Sequence, residues 1–143
     1  MDSRTTTTVT TTAVQIATVG SEQDHDLSAE FAFDPADSVA VTMTLQTPSG
    51  PVHWTFAREL LVEGQYEPCG EGDVHVWPCL SPSGEAVVIV ELESPAGETL
   101  LQFPTRAVQD FVTASLEAVP LGQEKVDVDS WIEQLLTEGP AAA

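Results

Sequence analysis

The chain has 143 residues, of which 42% are hydrophobic, so it can form one globular domain and is too apolar for wholesale disorder. Four lysines and arginines stand against 23 aspartates and glutamates, which gives a formal net charge of −19. This balance opposes binding to phosphate backbones and anionic membranes, because such surfaces require several basic side chains. Either a solvated, self-repelling surface or adaptation to a saline habitat would explain the acidity.

The first half of the chain alternates between apolar and polar residues, which is typical of strands with one buried face. Residues 1–8 are threonine-rich and are expected to be flexible, whereas residues 9–19 predict a first strand and residues 21–26 an acidic loop. Further strands are predicted at 27–33, 39–45, 52–56, 74–76, 87–92 and 99–103, which makes about seven in all.

Three turns between these strands share one pattern, which is a hydroxyl residue, a proline, a small residue and a glycine. They are residues 47–50, 81–84 and 94–97. Proline presets φ at the second position and glycine accepts a positive φ at the fourth, so each predicts an antiparallel hairpin with a type I turn and a glycine bulge. The pattern therefore predicts a meander and not a parallel sheet.

Three segments have helical spacing. Residues 57–63 are short and are followed by a glycine, and residues 106–119 place five apolar side chains on one face before a proline. Residues 129–138 begin with a capping box and place Trp131 on their apolar face, and residues 139–143 are expected to be a flexible tail.

Both halves of the predicted single domain, residues 9–138, consist of strands followed by a helix. Phe56-Ala57-Arg58 and Phe103-Pro104-Thr105-Arg106 each end a strand in phenylalanine and begin a helix near an arginine. The spacing of the two segments is not identical, so they suggest a two-fold internal repeat without establishing one.

The sequence predicts a cytoplasmic protein, because it has neither an apolar run of about 20 residues nor a basic segment followed by an apolar one. Cys69 and Cys79 are therefore expected to be reduced thiols. His75 lies between them, but the spacing of these three residues does not match a zinc motif.

No motif in the sequence predicts catalysis, since the nucleophile elbow, the HExxH pattern and the glycine-rich phosphate loops are all missing from it. Residues 70–72, Gly-Glu-Gly, are better explained as a tight turn than as a phosphate cradle. His25, which stands between two aspartates, fits a solvated loop, and Glu91 and Glu93 fit the solvent-exposed face of a strand. We therefore predict a protein that is not an enzyme and has no cofactor or metal.

One ordered run of motifs resembles a known family, the SsgA-like proteins of sporulating actinobacteria. Residues 54–64, WTFARELLVEG, resemble the family segment W-x-F-x-R-[DE]-L-L-x-[DE]-G, and residues 70–78 resemble G-x-G-D-V-x-V-W-P. Further matches follow in order at 94–97, 107–111 and 119–124. The sequence departs from the family at 37–41, where it reads DSVAV instead of DPYAV, and at His75, where the family often has arginine.

The resemblance implies an α+β domain with a strongly curved antiparallel sheet and two to three packed helices, similar to whirly-type single-strand binders and assembled as a homotrimer. It also implies a role in sporulation-specific septation. There the protein would recruit or stabilise the FtsZ ring at division septa, alone or with a family paralogue, by protein–protein contact. Neither catalysis nor a cofactor is associated with the family.

Five residues are candidates for the partner contact. They are Arg58, Glu59, Leu61, Arg106 and Trp131. Because FtsZ is also acidic, bulk attraction cannot drive docking, and we expect a small patch selected by shape. For Arg58, an ion pair with a neighbouring carboxylate at the strand–helix corner is an equally strong alternative.

The alternative function is a whirly-like single-stranded nucleic-acid binding module. Trp54 and Trp77 lie on predicted strands, where they fit core positions better than base-stacking platforms. Stacking of bases also needs an electropositive groove, which Arg58 and Arg106 alone hardly provide. The charge of the chain therefore argues against this alternative.

Overall fold

The computed structural model describes residues 6–16, 25–95 and 97–123, and its centre is a single antiparallel sheet curled into a half-barrel. The strands are β1 Thr7–Ile16, β2 His25–Phe33, β3 Ala40–Thr47, β4 Gly50–Ala57, β5 Cys69–Glu71, β6 Val74–Leu80, β7 Ala86–Ser94 and β8 Gly97–Pro104. The helices are α1 Arg58–Gly64 and α2 Thr105–Ala118, and a short 3-10 turn spans Pro35–Asp37. The predicted fold class, α+β with a strongly curved antiparallel sheet, is confirmed.

The strand order is β4-β3-β2-β1-β8-β7-β6-β5. Each half of the chain is thus a four-stranded meander followed by a helix, which is the internal repeat that the sequence suggested. The halves join where β1 pairs with β8, from Val14 opposite Gln102 to Ile16 opposite Leu100. The sheet has eight strands and not seven, and the predicted helix at 129–138 lies outside the described residues.

The predicted alternation of buried residues is confirmed in β2 and β3. Leu27, Ala29, Phe31 and Phe33 are all buried, because successive side chains of a strand point to opposite faces. The ends of the strands differ from the prediction, since β1 and β2 pair continuously from Thr7 opposite Phe33 to Gln15 opposite His25. Backbone hydrogen bonding to a neighbour therefore extends both strands beyond their hydrophobic pattern.

The predicted hairpins are also confirmed. β3 and β4 pair up to Thr47 opposite Gly50, so only Pro48 and Ser49 separate them. Gly50 has a φ of 113° and Gly84 a φ of 86°, values that residues with a Cβ rarely adopt. The hydroxyl of the first residue also holds the β3–β4 turn, since Thr47 Oγ1 donates to the Gly50 carbonyl at 2.7 Å.

The core lies between the concave face of the sheet and the helices. Phe31 packs against Phe103 and Phe111, with ring centroids 4.9 and 5.4 Å apart. Helix α2 lies on β1, β7 and β8, whereas α1 contacts β4 and also β5 and β6. Because β4 and β5 are the two edges of the sheet, α1 bridges the opening of the half-barrel.

Candidate functional site

Arg58 joins the two helices inside the fold. It is the first residue of α1 and is only 1% exposed. Its Nη1 donates to the carbonyls of Ser115 at 3.0 Å and Val119 at 2.7 Å, at the end of α2. Its guanidinium lies 4.7 Å from the ring centroid of Phe33. The side chain of Arg58 is therefore a structural connection between α1, α2 and β2.

The physical reason for this contact is the unsatisfied end of α2. The last carbonyls of a helix lack intrahelical partners and carry partial negative charge, so a cation that bonds them stabilises the helix. From the sequence, a structural role for Arg58, through an ion pair with a carboxylate, is the alternative to partner binding. The buried position of Arg58 agrees with a structural role, and its partners include backbone carbonyls. A buried guanidinium does not contact a docking partner, so we remove Arg58 from the candidate interface.

The other candidate residues divide between core and surface. Leu61 is fully buried and faces the core from α1, so it does not offer a surface to a partner in this structure. Glu59 and Arg106 are exposed on α1 and α2. Trp131 lies outside the described residues and stays a prediction. Of the lysines and arginines in the described ranges, only Arg106 is exposed, so the nucleic-acid alternative gains no support.

The exposed face of α1 is anionic. Glu59 and Glu63 on α1 and Glu67 just after it lie four residues apart and are all exposed. The negative charge of Glu59 is the largest cause that raises the pKa of Glu63, and burial, a hydrogen bond from protonated Glu63 to Glu59 and the charge of Glu67 add to it. Tyr66 is 74% exposed beside them. An acidic partner would be repelled from this face at neutral pH.

A second feature is an open cavity, which we call the mouth, at the turn end of the half-barrel. Its volume is about 310 Å³. Within the described part of the chain, the lining residues all lie in strands and none carries a charge: Gln15, Leu27, Leu45, Thr47, Val52, Trp54, Leu92, Ser94, Thr99 and Leu101. Val52 is 40% exposed and Trp54 is half-buried, so the mouth offers apolar surface to solvent. The described lining is thus uncharged, in a chain of net charge −19.

Sequence reasoning placed Val52 and Trp54 on the buried face of a strand and did not recognise the mouth. Pro51 was the available signal, because a proline cannot donate to the sheet ladder and is confined to edge strands. β4 is indeed an edge of the sheet, so one side of its backbone has no paired strand.

The two cysteines differ in environment. Both are free thiols, with Cys79 exposed and Cys69 half-buried, where its Sγ lies 3.4 Å from the Leu60 carbonyl. Burial raises the pKa of the Cys69 thiol, and the nearby carboxylates, led by Glu63, add to the increase.

We therefore expect Cys69 to react severalfold more slowly than Cys79 with a disulfide reagent at mildly alkaline pH, because the thiolate is the nucleophile. The single-thiol variants Cys69→Ser and Cys79→Ser, followed by absorbance, separate the two rates. Equal rates in the folded protein would show that the Cys69 thiol is not shielded.

Comparison with known proteins identifies the chain. The family described as Streptomyces sporulation and cell division protein, SsgA, matches residues 27–124. The chain belongs to the SsgA family. The sporulation-specific cell division protein SsgB of Streptomyces coelicolor is 42% identical over 123 residues, which are 84% of this chain and 89% of that protein. SsgB of Salinispora tropica is 40% identical over 113 residues, which are 76% of this chain and 78% of that protein.

Solved structures of SsgA-family proteins share the fold. The SsgA-like sporulation-specific cell division protein of Thermobifida fusca has a TM-score of 0.80 at 30% identity, covering 94% of this chain and 98% of that chain. A structure of SsgB, in which mutations correlate with longitudinal cell division during sporulation of S. coelicolor, has a TM-score of 0.78 at 39% identity. That match covers 86% of this chain and 95% of that chain.

The resemblance to the SsgA-like proteins is thereby confirmed, and the chain is an SsgB-like sporulation-specific cell division protein. The SsgA family is a family of cell division proteins and is not known for enzymes. Neither helix in the described ranges has the length and apolar character needed to cross a membrane.

Proposed function

We propose that this protein acts in sporulation-specific septation by recruiting or stabilising the FtsZ ring through direct protein–protein contact at division septa in the cytoplasm. Its membership of a cell division family supports a role in septation. The observation that carries the contact is the mouth, which is apolar and uncharged on a strongly acidic chain. An acidic partner meets less electrostatic repulsion there than at the anionic face of α1.

The proposed occupant of the mouth is an apolar side chain from the FtsZ polymer. A cavity of about 310 Å³ has room for one large side chain. Burial of a leucine or phenylalanine contributes roughly 1.5–3 kcal/mol, which makes a single contact weak. A homotrimer, as the family resemblance implies, would present three mouths to a polymer with repeated sites. Three linked weak sites gain avidity without any additional contact. A family paralogue is the alternative partner.

The chain offers a matched pair of variants to test this contact. Val52 lines the mouth and Val39 lies outside it, next to the start of β3, and both are 40% exposed. We expect Val52→Glu to weaken co-sedimentation with FtsZ polymers at least about tenfold, because an unpaired carboxylate is costly in an apolar cavity. Val39→Glu adds the same charge away from the mouth and should leave binding nearly unchanged.

Two outcomes would count against the proposal. If the unmodified protein does not sediment with FtsZ polymers at micromolar concentrations, direct contact with FtsZ is wrong. If Val52→Glu and Val39→Glu weaken binding equally, the mouth is not the contact, and net charge explains the effect. Circular dichroism and thermal unfolding of both variants show whether either change reflects loss of the fold.

A further inference from the structure

A cluster of nitrogen and oxygen donors lies on the face of the sheet opposite the core. His75 on β6 is paired directly with Glu91 on β7, and Glu93 follows two residues later on the same face of β7. One donor atom from each of His75, Glu91 and Glu93 lies within 4.8 Å of the other two. We propose that these three side chains bind a divalent transition-metal ion of the zinc class.

The orientation of the His75 ring is the first support for this site. A Cβ added at Gly70 on β5 would lie only 2.2 Å from Cδ2 of His75, so the ring packs directly over the glycine backbone. With Cδ2 towards Gly70, Nδ1 faces the other neighbouring strand, where Glu91 Oε1 lies 3.5 Å away. The ring is therefore held with one nitrogen directed at the carboxylates.

The state of that nitrogen is an independent observation. Nδ1 of His75 is shielded from solvent and has no hydrogen-bond partner. Its contact with Glu91 Oε1 at 3.5 Å is too long for a good hydrogen bond, and coordination of a metal ion would satisfy the lone pair of Nδ1. The other ring nitrogen, Nε2, stays available to a second-shell partner such as water.

The carboxylates provide the charge. Glu98 on β8 is paired with Glu93, so a third carboxylate lies beside the two proposed glutamate ligands. Glu91 also lies close enough to Glu98 for a hydrogen bond between their side chains. A divalent cation bound between these carboxylates would relieve their mutual repulsion.

The ligand set favours a transition metal over calcium or magnesium. Calcium and magnesium prefer oxygen ligands alone, whereas imidazole together with carboxylate suits zinc and its neighbours. Tetrahedral ligands at about 2.0–2.1 Å from zinc lie roughly 3.3 Å apart. The donor atoms of His75, Glu91 and Glu93 therefore need a closure of about 1.5 Å or less, which glutamate rotamers can provide. Water would complete the coordination.

Isothermal titration of the full, chelator-treated chain with zinc chloride tests the proposal. We expect one zinc ion per chain, and at least about tenfold weaker binding in His75→Asn and in Glu93→Gln. His53→Asn is the matched control, because His53 is an exposed histidine on a different strand, where Nδ1 contacts Thr44 Oγ1 at 2.9 Å. Its affinity should equal that of the unmodified chain. Circular dichroism confirms that each variant is folded.

The outcomes separate a built site from incidental surface binding. Zinc affinity should fall as the pH falls, because protons compete with the metal for the ligand atoms. Cobalt should give the visible absorption of a nitrogen-containing site, and His75→Asn should abolish it. The proposal is overturned if the unmodified chain binds no zinc, if His53→Asn weakens binding as much as His75→Asn, or if calcium binds as tightly as zinc.

Discussion

Replacement of Arg58 by methionine is expected to lower the free energy of unfolding by about 2–3 kcal/mol. The variant loses two charge-assisted hydrogen bonds, to the carbonyls of Ser115 and Val119, and the contact with the ring of Phe33. Methionine fills much of the volume but cannot donate to a carbonyl, so the end of α2 loses its cationic partner. Urea unfolding measures the change as a lower midpoint at an unchanged slope.

Arg106→Met is the matched control for this experiment. Arg106 is also an arginine at the start of a helix, but it is exposed in the first turn of α2. A positive charge at a helix N-terminus is unfavourable, so its removal should change stability by at most about 0.5 kcal/mol and in the stabilising direction. Arg58→Lys should lie between, because lysine keeps the charge but not the planar set of donors. Equal losses in Arg58→Met and Arg106→Met would contradict the structural role assigned to Arg58.

Gly64→Ala is expected to destabilise the protein by about 2–3 kcal/mol. Gly64 is the last residue of α1 and is buried where the helix crosses β6. A Cβ there would lie 2.2 Å from Cγ1 and 2.7 Å from Cβ of Val76, which has no free rotation away from the contact. The added methyl group therefore requires α1 to move off the sheet. Thermal or urea unfolding measures the loss.

A double-mutant cycle separates this steric effect from a general effect of alanine at a helix end. Val76→Ala alone removes buried methyl groups and should destabilise the protein through a cavity. In the double variant the methyl group at position 64 occupies part of that cavity, so the combined loss should be smaller than the sum of the two. If the losses of the two single variants simply add in the double variant, contact with Val76 is not the reason that position 64 requires glycine.

The strands of the first meander could be predicted because their signals are local. Phe31 and Phe33 alternate with small or polar residues, and the hairpin glycines follow prolines at fixed distances. The strand β5, Cys69–Glu71, was not predicted, because three residues are too few to show a period. It exists because its backbone pairs with β6 at the edge of the sheet. An edge pairing of this kind depends on the neighbouring strand and not on a sequence pattern.

The candidate site was harder to predict, because it depends on which residues meet across the fold. Arg58 and Leu61 belong to a family motif, and a motif shows that a residue matters without showing why. Both are buried in the structure, whereas the mouth is formed by residues such as Val52 and Leu92 that come from opposite halves of the chain. Their proximity follows from the curvature of the sheet, which no short-range pattern encodes.

The sequence by itself determined the family, through the ordered motifs between residues 54 and 124, and determined most strands and turns through periodicity and the proline–glycine pattern. Only the tertiary structure decided that Arg58 bonds a helix end 57 and 61 residues away, and that His75 faces Glu91. The physical reason is the range of the interactions. Alternation and turn chemistry act within a few residues, whereas helix capping between elements, cavities and cross-strand clusters exist only after the sheet has curled and paired.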